Sequence, residues 1–422
     1  MRDRNCIVCG RKLSLKPLMT LAHMPSSAQD IPGKEELEAE QGITLDLHQC
    51  ETCGLVQFDC EPVAYYKDVI RSGGFSTTMV NLRKSQYRHF IDVCKLEGKK
   101  LIEAGCGQGE FLSVLSEFPV EAYGIEHRES LVRLAKEKGL SVWKQFAGEG
   151  EVLAPADGSV KGPFDGFLSF NYLEHQPEPV KMLRCIWNNL NEDGVGLITV
   201  PSLEYILQYN GYYELIRDHL AYYTFDTLTY AAEEAGFEVV EREMVNRDTL
   251  SVIVRKRAAA DGTALPGGSL NSQIPQNMNV SGFKEEDRKG VGRVPEKIDG
   301  LGLIESRIII GREIEGLIRD LKSQGKRLAI WGASHQGFTL ASTTEIGGFA
   351  EYIIDSAPFK QGKYAPASHL PIVPPEHYKS SPVEAILIVA PGYTDEIASV
   401  IREKFGRNVE ILALKSNHLE RM

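Results

Sequence analysis

The sequence predicts an α/β protein in which two parallel-sheet units, each flanked by helices, follow a cysteine-rich N-terminal lobe. Three observations carry this expectation. Apolar stretches of strand length alternate with amphipathic stretches of helix length between residues 101 and 254, and again between 304 and 414, the pattern of parallel strands joined by helical crossovers. In both regions an apolar strand runs into a glycine-bearing turn and a helix start, at residues 103–109 and 332–337. Ahead of them stand two Cys-x-x-Cys-Gly sequences, Cys6 with Cys9 and Cys50 with Cys53.

Length and composition bound the answer. A chain of 422 residues exceeds one hydrophobic core and predicts two to three domains. With 42% hydrophobic and 25% charged residues it has the composition of a soluble globular protein. No apolar run approaches the roughly 20 residues that span a bilayer, and the first residues lack the apolar core of a signal peptide. A cytoplasmic protein with no membrane partner is expected. The net charge of −11 argues against nucleic acid, whose phosphates select a basic face. In a reducing compartment the eight cysteines are expected as thiols or metal ligands rather than disulfides.

Residues 1–75 form the expected N-terminal lobe. Two thiolates three apart in a tight turn can face one ion, and the glycine relieves the turn. Cys6, Cys9, Cys50 and Cys53 together supply the four sulfurs of a tetrahedral, structural Zn²⁺ site. The 40 residues between the pairs must fold as a lobe with its ends joined at the metal. A redox Cys-x-x-Cys is the weaker reading, since it needs no second copy. Cys60, Cys94, Cys106 and Cys185 are isolated and expected to be structural thiols. Residues 65–76 mix aromatics, glycines and hydroxyls without a period, and suit either a cover for a ligand pocket or a packed linker.

Residues 76–257 form the central unit. A helix is expected over 77–96, then strands at 101–104, 122–125, 142–143, 164–170 and 195–201, with helices at 111–117, 130–138 and 180–190. The first turn carries Glu103, Gly105, Gly107 and Gly109. Glycines there accept positive φ and let a ligand approach the backbone, and the helix behind them offers unpaired N–H groups. The spacing is not the Gly-x-Gly-x-x-Gly of dinucleotide folds. A carboxylate two residues before the first glycine repels pyrophosphate and suits an amino-bearing ligand. Glu126, at the end of the second strand, occupies the place where an acid binds ribose hydroxyls. Asn171 follows the fourth strand at its carboxyl end, where such sheets bind ligands. This Glu-x-Gly-x-Gly-x-Gly turn resembles the first motif of class I S-adenosylmethionine (SAM) dependent methyltransferases. The resemblance implies SAM held by Glu103, Gly105, Gly107, Gly109, Glu126 and Asn171, with residues 146–149 near the adenine.

Two clusters after that strand invite chemistry. Glu174 and His175 suit either a metal or catalytic role or a helix-entry cap. Residues 203–228 concentrate tyrosines around Asp218 and His219, as a site orienting a polar ligand would. An acid beside a His near its reference pKa could act as a base; a core histidine in an aromatic layer reads equally well. A helix over 225–235, a stop at Gly236 and two strands within 239–254 complete the unit. Residues 258–300 hold too little apolar density for a core and read as a linker or mobile loop.

Residues 301–422 open with a helix over 304–324. Strands follow at 326–331, 350–355, 385–390 and 409–414, making a second, smaller Rossmann-like unit. Only Gly332 and Gly337 flank its turn, so an NAD fingerprint is incomplete.

With all parts in view, the chain is similar over essentially its full length to the sugar C-methyltransferase family acting on nucleotide-activated deoxysugars. The matching residues are the two cysteine knuckles, the Glu103 to Gly109 turn, residues 171–175, Asp218 with His219, Gly332-Ala333-Ser334, Asp355, residues 360–364 and Ile372-Val373-Pro374. The resemblance implies a class I SAM methyltransferase Rossmann-like domain with an N-terminal zinc-binding lobe and a C-terminal second Rossmann-like domain that helps hold the nucleotide. It also implies that His219 removes a proton α to a sugar ketone, and that the carbanion attacks the SAM methyl. Asp218 stands beside this base, and Tyr222 or Tyr223 could donate to the developing oxyanion. A small nucleotide-sugar substrate and a monomer or homodimer are expected. The rival readings are a sugar O-methyltransferase using His219 or His175, a zinc-bearing RNA methyltransferase, and a sugar-nucleotide oxidoreductase.

Overall fold

A computed structural model describes residues 4–68, 77–148, 151–209, 211–257, 298, 300–390 and 392–422. The linker expected over 258–300 lies almost wholly outside the described residues, as do residues 69–76 of the expected pocket cover, Glu149 and Pro391. The N-terminal lobe holds β1 (Met19–Met24), β2 (Ile43–Gln49) and β3 (Val56–Phe58). The central unit follows with α1 (Thr77–Cys94), β4 (Lys100–Ala104), α2 (Glu110–Leu115), β5 (Glu121–Glu126), α3 (Glu129–Glu137), β6 (Ser141–Lys144), β7 (Phe164–Phe170), α4 (Pro179–Asn188), β8 (Leu190–Pro201), α5 (Leu203–Gln208), β9 (Ala221–Tyr222), α6 (Phe225–Glu234), β10 (Phe237–Val245) and β11 (Thr249–Lys256). The C-terminal unit holds α7 (Leu301–Ser323), β12 (Leu328–Trp331), α8 (His335–Thr343), β13 (Ile353–Ile354), β14 (Ile372–Val373), β15 (Ala385–Ile388), α9 (Thr394–Phe405), β16 (Glu410–Leu414) and β17 (Leu419–Arg421).

The central sheet runs β10-β11-β8-β7-β4-β5-β6. Strands β4 to β8 are mutually parallel, and β11 is antiparallel to both neighbours. Strand β4 shows why the interior reads as a continuous apolar run. Ile102 and Ala104 pack into the layer beneath α4 and α6, while Leu101 packs into the layer of α1 and α2, since side chains alternate across a strand buried on both faces. The strand order reverses at β4, so the glycine turn after it opens into the crevice where ligands of such sheets bind. The C-terminal sheet runs β14-β13-β12-β15-β16-β17, parallel except for β17.

Boundaries differ from expectation where side chains end an element. Strand β8 begins at Leu190 rather than 195, because α4 stops at Asn188. Asn189 closes that helix end, its amide donating to the Cys185 and Glu151 carbonyls at 2.8 Å while its oxygen accepts from Leu153 N. The strand expected over 350–355 shortens to Ile353–Ile354.

The N-terminal lobe has no core to itself. Met19, Leu21, Leu45, Leu47 and Phe58 share a core with Ile310 and Ile314 of α7 and Phe338 of α8. Its cysteine end, with Val8, Leu13 and Leu55, joins the core of the central unit with Leu173, Tyr223 and Leu228. Its sheet continues as β1-β2-β3-β9: Val56 pairs with Tyr222 and Gln57 with Ala221. The tyrosine-rich segment therefore enters the lobe's sheet as an edge strand, a pairing that the sequence did not announce.

Candidate active site

The glycine turn is built for close approach. Gly105, Gly107 and Gly109 all have positive φ, at 73°, 60° and 79°. Gly105 N and Cys106 N both donate to the Ile125 carbonyl, at 3.0 and 3.1 Å, which ties the turn to β5. A Cβ on Gly109 would lie 2.3 Å from Leu140 Cδ1 and force that side chain to move, on a backbone whose φ of 79° already favours glycine. Glu103 is fully buried in β4.

Glu126 faces the turn. Its carboxylate accepts from Gly107 N at 3.0 Å and from Arg128 N at 2.8 Å. Burial raises its pKa above the ordinary carboxylate range, and those backbone donors oppose the rise. A buried acid fixed by two backbone amides, each oxygen keeping a further lone pair, suits a ligand with vicinal hydroxyls. Asn171, at φ 47°, is held by its own N–H to the Thr199 carbonyl (2.8 Å), and its side-chain oxygen accepts from Thr199 Oγ1 (3.1 Å). These residues therefore fit the amino acid and ribose ends of SAM.

Beside them lies a rim that the sequence left open between cover and linker. Tyr66, His127 and Tyr172 meet Phe146 edge-on. Tyr172 Oη donates to the Lys67 carbonyl at 2.8 Å, Gln176 donates to the Tyr66 carbonyl at 3.3 Å, and Asp68 pairs with Arg128. The described part of the segment, through Asp68, is thus pinned along the glycine-turn side of the sheet. Composition could hint at aromatics, but the partners are distant in sequence.

The loop after β7 links this region to a second cluster. Tyr172 lies near enough to Glu126 for that charge to help raise its pKa, after burial. Three residues on, His175 Nδ1 donates to the Asp218 carbonyl at 2.7 Å, and its ring meets His219 at 4.9 Å between centroids. Burial, then His175 and His335, hold the His219 pKa well below its ordinary value, so this half-buried ring is neutral at pH 7. Burial pushes the neighbouring Glu174 carboxyl up to about 8.

The Tyr222 ring meets His219 edge-on at 6.0 Å between centroids, but the Asp218 carboxylate and the Tyr222 hydroxyl are both engaged elsewhere. Asp218 directs its carboxylate into the N-terminal lobe, where Tyr65 Oη donates to Oδ1 at 2.6 Å and Ala28 N to Oδ2 at 2.9 Å. Ser27 Oγ lies 2.6 Å from the same tyrosine oxygen. The expected acid beside the base is instead a latch to another lobe. Tyr222 Oη accepts from Ile216 N at 2.7 Å and donates to Ile216 O at 3.1 Å. In this structure its hydroxyl braces the turn before His219 rather than facing an open site. A cavity lined by Met24, Ala28, Arg217, Asp218, His335 and Phe338 opens where all three units meet. Glu214 crosses that junction, 3.1 Å from His335 Nε2 and accepting from Gln336 Nε2 at 2.9 Å.

In the lobe, Cys6 and Cys53 bring their sulfurs to 3.5 Å, as do Cys9 and Cys50. Sulfurs on a tetrahedral zinc stand roughly 3.8 Å apart, given Zn–S near 2.3 Å. Both knuckles close alike: Gly10 N donates to the Cys6 carbonyl and Gly54 N to the Cys50 carbonyl, each at 2.9 Å. The donor set fits one Zn²⁺. In the C-terminal unit, Asp355 accepts from Ala333 N and pairs with Lys360, so its carboxylate is engaged by its own turn.

Comparison with known proteins agrees with the geometry. Residues 80–242 match the methyltransferase domain family, and residues 306–412 match the C-methyltransferase C-terminal domain family. The chain is 23% identical over 406 residues to the C-methyltransferase NovU of Streptomyces niveus, covering 93% of this chain and 90% of that one. It is 34% identical over 93 residues to the ubiquinone biosynthesis O-methyltransferase of Methylococcus capsulatus, covering 21% of this chain and 37% of that protein. Among solved structures it is similar to the magnesium protoporphyrin IX methyltransferase of Synechocystis with bound SAH, at a TM-score of 0.34 and 16% identity, covering 42% of this chain and 83% of that one.

The sheet and its glycine turn define a class I SAM-dependent methyltransferase. Within that class, the segment behind the catalytic unit matches the C-methyltransferase C-terminal domain, and the chain is similar to a C-methyltransferase over 93% of its length. Among the described residues no helix is long and apolar enough to cross a membrane.

Proposed function

We propose that the enzyme methylates a carbon α to the ketone of a nucleotide-linked keto-deoxysugar, with His219 as the general base. One observation carries the reading. A single loop after β7 runs from the neighbourhood of Glu126 to His175, which touches a neutral, half-buried His219. This supports a donor and a base on one side of the sheet. Glu103, the three glycines of the turn, Glu126 and Asn171 orient SAM, which supplies an electrophilic methyl when bound. A C–H beside a ketone is a weak acid, so removing its proton needs a placed base. His219 accepts that proton on a ring nitrogen, and the substrate enolate forms facing the donor. The substrate reaches from the central unit toward the junction with α8, where Asp218 and His335 line a small cavity, with the C-terminal unit holding its nucleotide end. The four cysteines hold a structural Zn²⁺, and the division into residues 1–75, 76–257 and 301–422 follows these roles.

The test is a screen of nucleotide-linked keto-sugars for SAM-dependent methyl transfer, with NMR of the product and of solvent deuterium entering the α carbon. His219→Gln is expected to lower turnover by about 10² to 10⁴-fold with SAM binding intact. Unchanged turnover, or methyl on oxygen without α-exchange, would remove the reading.

A further inference from the structure

We propose that Glu174, His175 and His219 form a second metal site, separate from the four cysteines, which takes a divalent transition-metal ion and, when filled, silences the base. The silencing rests on the reading of His219 as base; the site itself does not.

One ligand atom from each of the three residues lies within 4.8 Å of the other two. Glu174 Oε1 and His175 Nε2 are 3.8 Å apart, and two ligands at roughly 2.0–2.2 Å from an ion stand at most about 4.3 Å apart. Small side-chain rotations therefore close the set. Glu174 is 2% exposed and His175 5%, and Glu174 Oε2 has no hydrogen-bond partner among the described residues. Burying such an oxygen without a partner is costly, and a cation removes that cost. The tautomer of His175 is already set: Nδ1 donates to the Asp218 carbonyl, leaving the Nε2 lone pair on the side of Glu174. Ligating histidines are habitually anchored in this way through the other nitrogen. Half-buried His219 supplies the third ligand. Two imidazoles and a carboxylate select Zn²⁺, Co²⁺ or Fe²⁺ over Mg²⁺ and Ca²⁺, which prefer oxygen. A metal-bound imidazole nitrogen cannot accept a proton, so the filled site and proton abstraction exclude each other.

The experiment uses the full-length protein with its cysteine cluster loaded with zinc, and Co²⁺ as the probe. The native protein is expected to take one further equivalent, with visible d–d absorption and no new thiolate charge-transfer band. Both Glu174→Gln and His175→Gln should bind it at least about tenfold more weakly, with native circular dichroism confirming that each variant is folded. Methyl transfer by the native protein should fall in step with Co²⁺ occupancy and return with citrate. Equal Co²⁺ binding by the native protein and both folded variants overturns the proposal, as does a spectrum of thiolate character alone. Methyl transfer that persists at full occupancy overturns the silencing. His219→Gln assayed without added metal separates the two readings. Retained turnover there removes the base and leaves the site standing if the extra equivalent binds.

Discussion

Glu126 shows how one side chain ties cofactor affinity to pH. Burial raises its pKa while Gly107 N and Arg128 N oppose the rise, so it takes up a proton at higher pH than a free glutamate. Once protonated it loses the acceptor that ribose hydroxyls need. The SAM dissociation constant is therefore expected to climb as pH falls through this raised value, by titration calorimetry, and Glu126→Gln should flatten that profile. At pH 8 the variant should bind SAM roughly 10- to 100-fold more weakly, as losing a hydrogen bond to a charged group costs about 1.5–3 kcal/mol. The sign for stability is opposite. A carboxyl whose folded pKa exceeds its unfolded value holds more protons when folded, so its contribution favours folding at low pH and is lost as pH rises through the raised value. Equal SAM affinity for the native protein and the variant at pH 8 would exclude Glu126 from the donor site.

Elements with local signatures were legible in the sequence, and pairings between distant elements were not. The glycine turn, β4, β5 and β7 each announce themselves within a few residues, by apolar runs ending in glycine, acid or Asn171. Strand β9 spans only Ala221–Tyr222 and has no period of its own; it is a strand because β3 offers it an edge. The same limit hid Tyr65, which bonds Asp218 across 153 residues of sequence. It also hid the commitment of the Tyr222 hydroxyl to Ile216, since sequence shows that a tyrosine is near a histidine but not where its proton points. Asp218 is 3% exposed, so Tyr65→Phe leaves one buried carboxylate oxygen without its donor. A cost of about 1–3 kcal/mol is expected, read as a lowered unfolding midpoint. Because the carbonyl of Asp218 also holds His175, turnover should fall while SAM affinity stays. A matching loss of SAM affinity would show that the latch serves the whole unit rather than the base.

At the scale of the molecule, the N-terminal lobe packs into two cores, one shared with the C-terminal unit and the 203–222 segment, the other with the central sheet. Its sheet is built into the C-terminal unit against α7 and α8, and its cysteine end into the central unit beside Tyr223. Between them it supplies β3, on which β9 closes immediately after His219, and Tyr65, which holds Asp218 immediately before it. His219, the proposed base, is thus clamped on both sides by a lobe that contributes no residue to the glycine turn. The two knuckles, 41 residues apart between Cys9 and Cys50, join at the cluster, and metal-dependent modules lose their fold when the ion is withdrawn. Cys50→Ser, or prolonged treatment with a strong chelator, is therefore expected to free β9 and the Asp218 latch together. Methyl transfer should be abolished, while SAM binding, carried by β4, β5 and the loop after β7, should change by less than about threefold, under 1 kcal/mol. Turnover, calorimetry with SAM and near-ultraviolet circular dichroism of the tyrosines around His219 read these separately. If turnover survives loss of the ion, the packing of the lobe in its two neighbouring cores is enough to hold β9; if SAM binding disappears with turnover, the lobe supports the entire central sheet rather than the base alone.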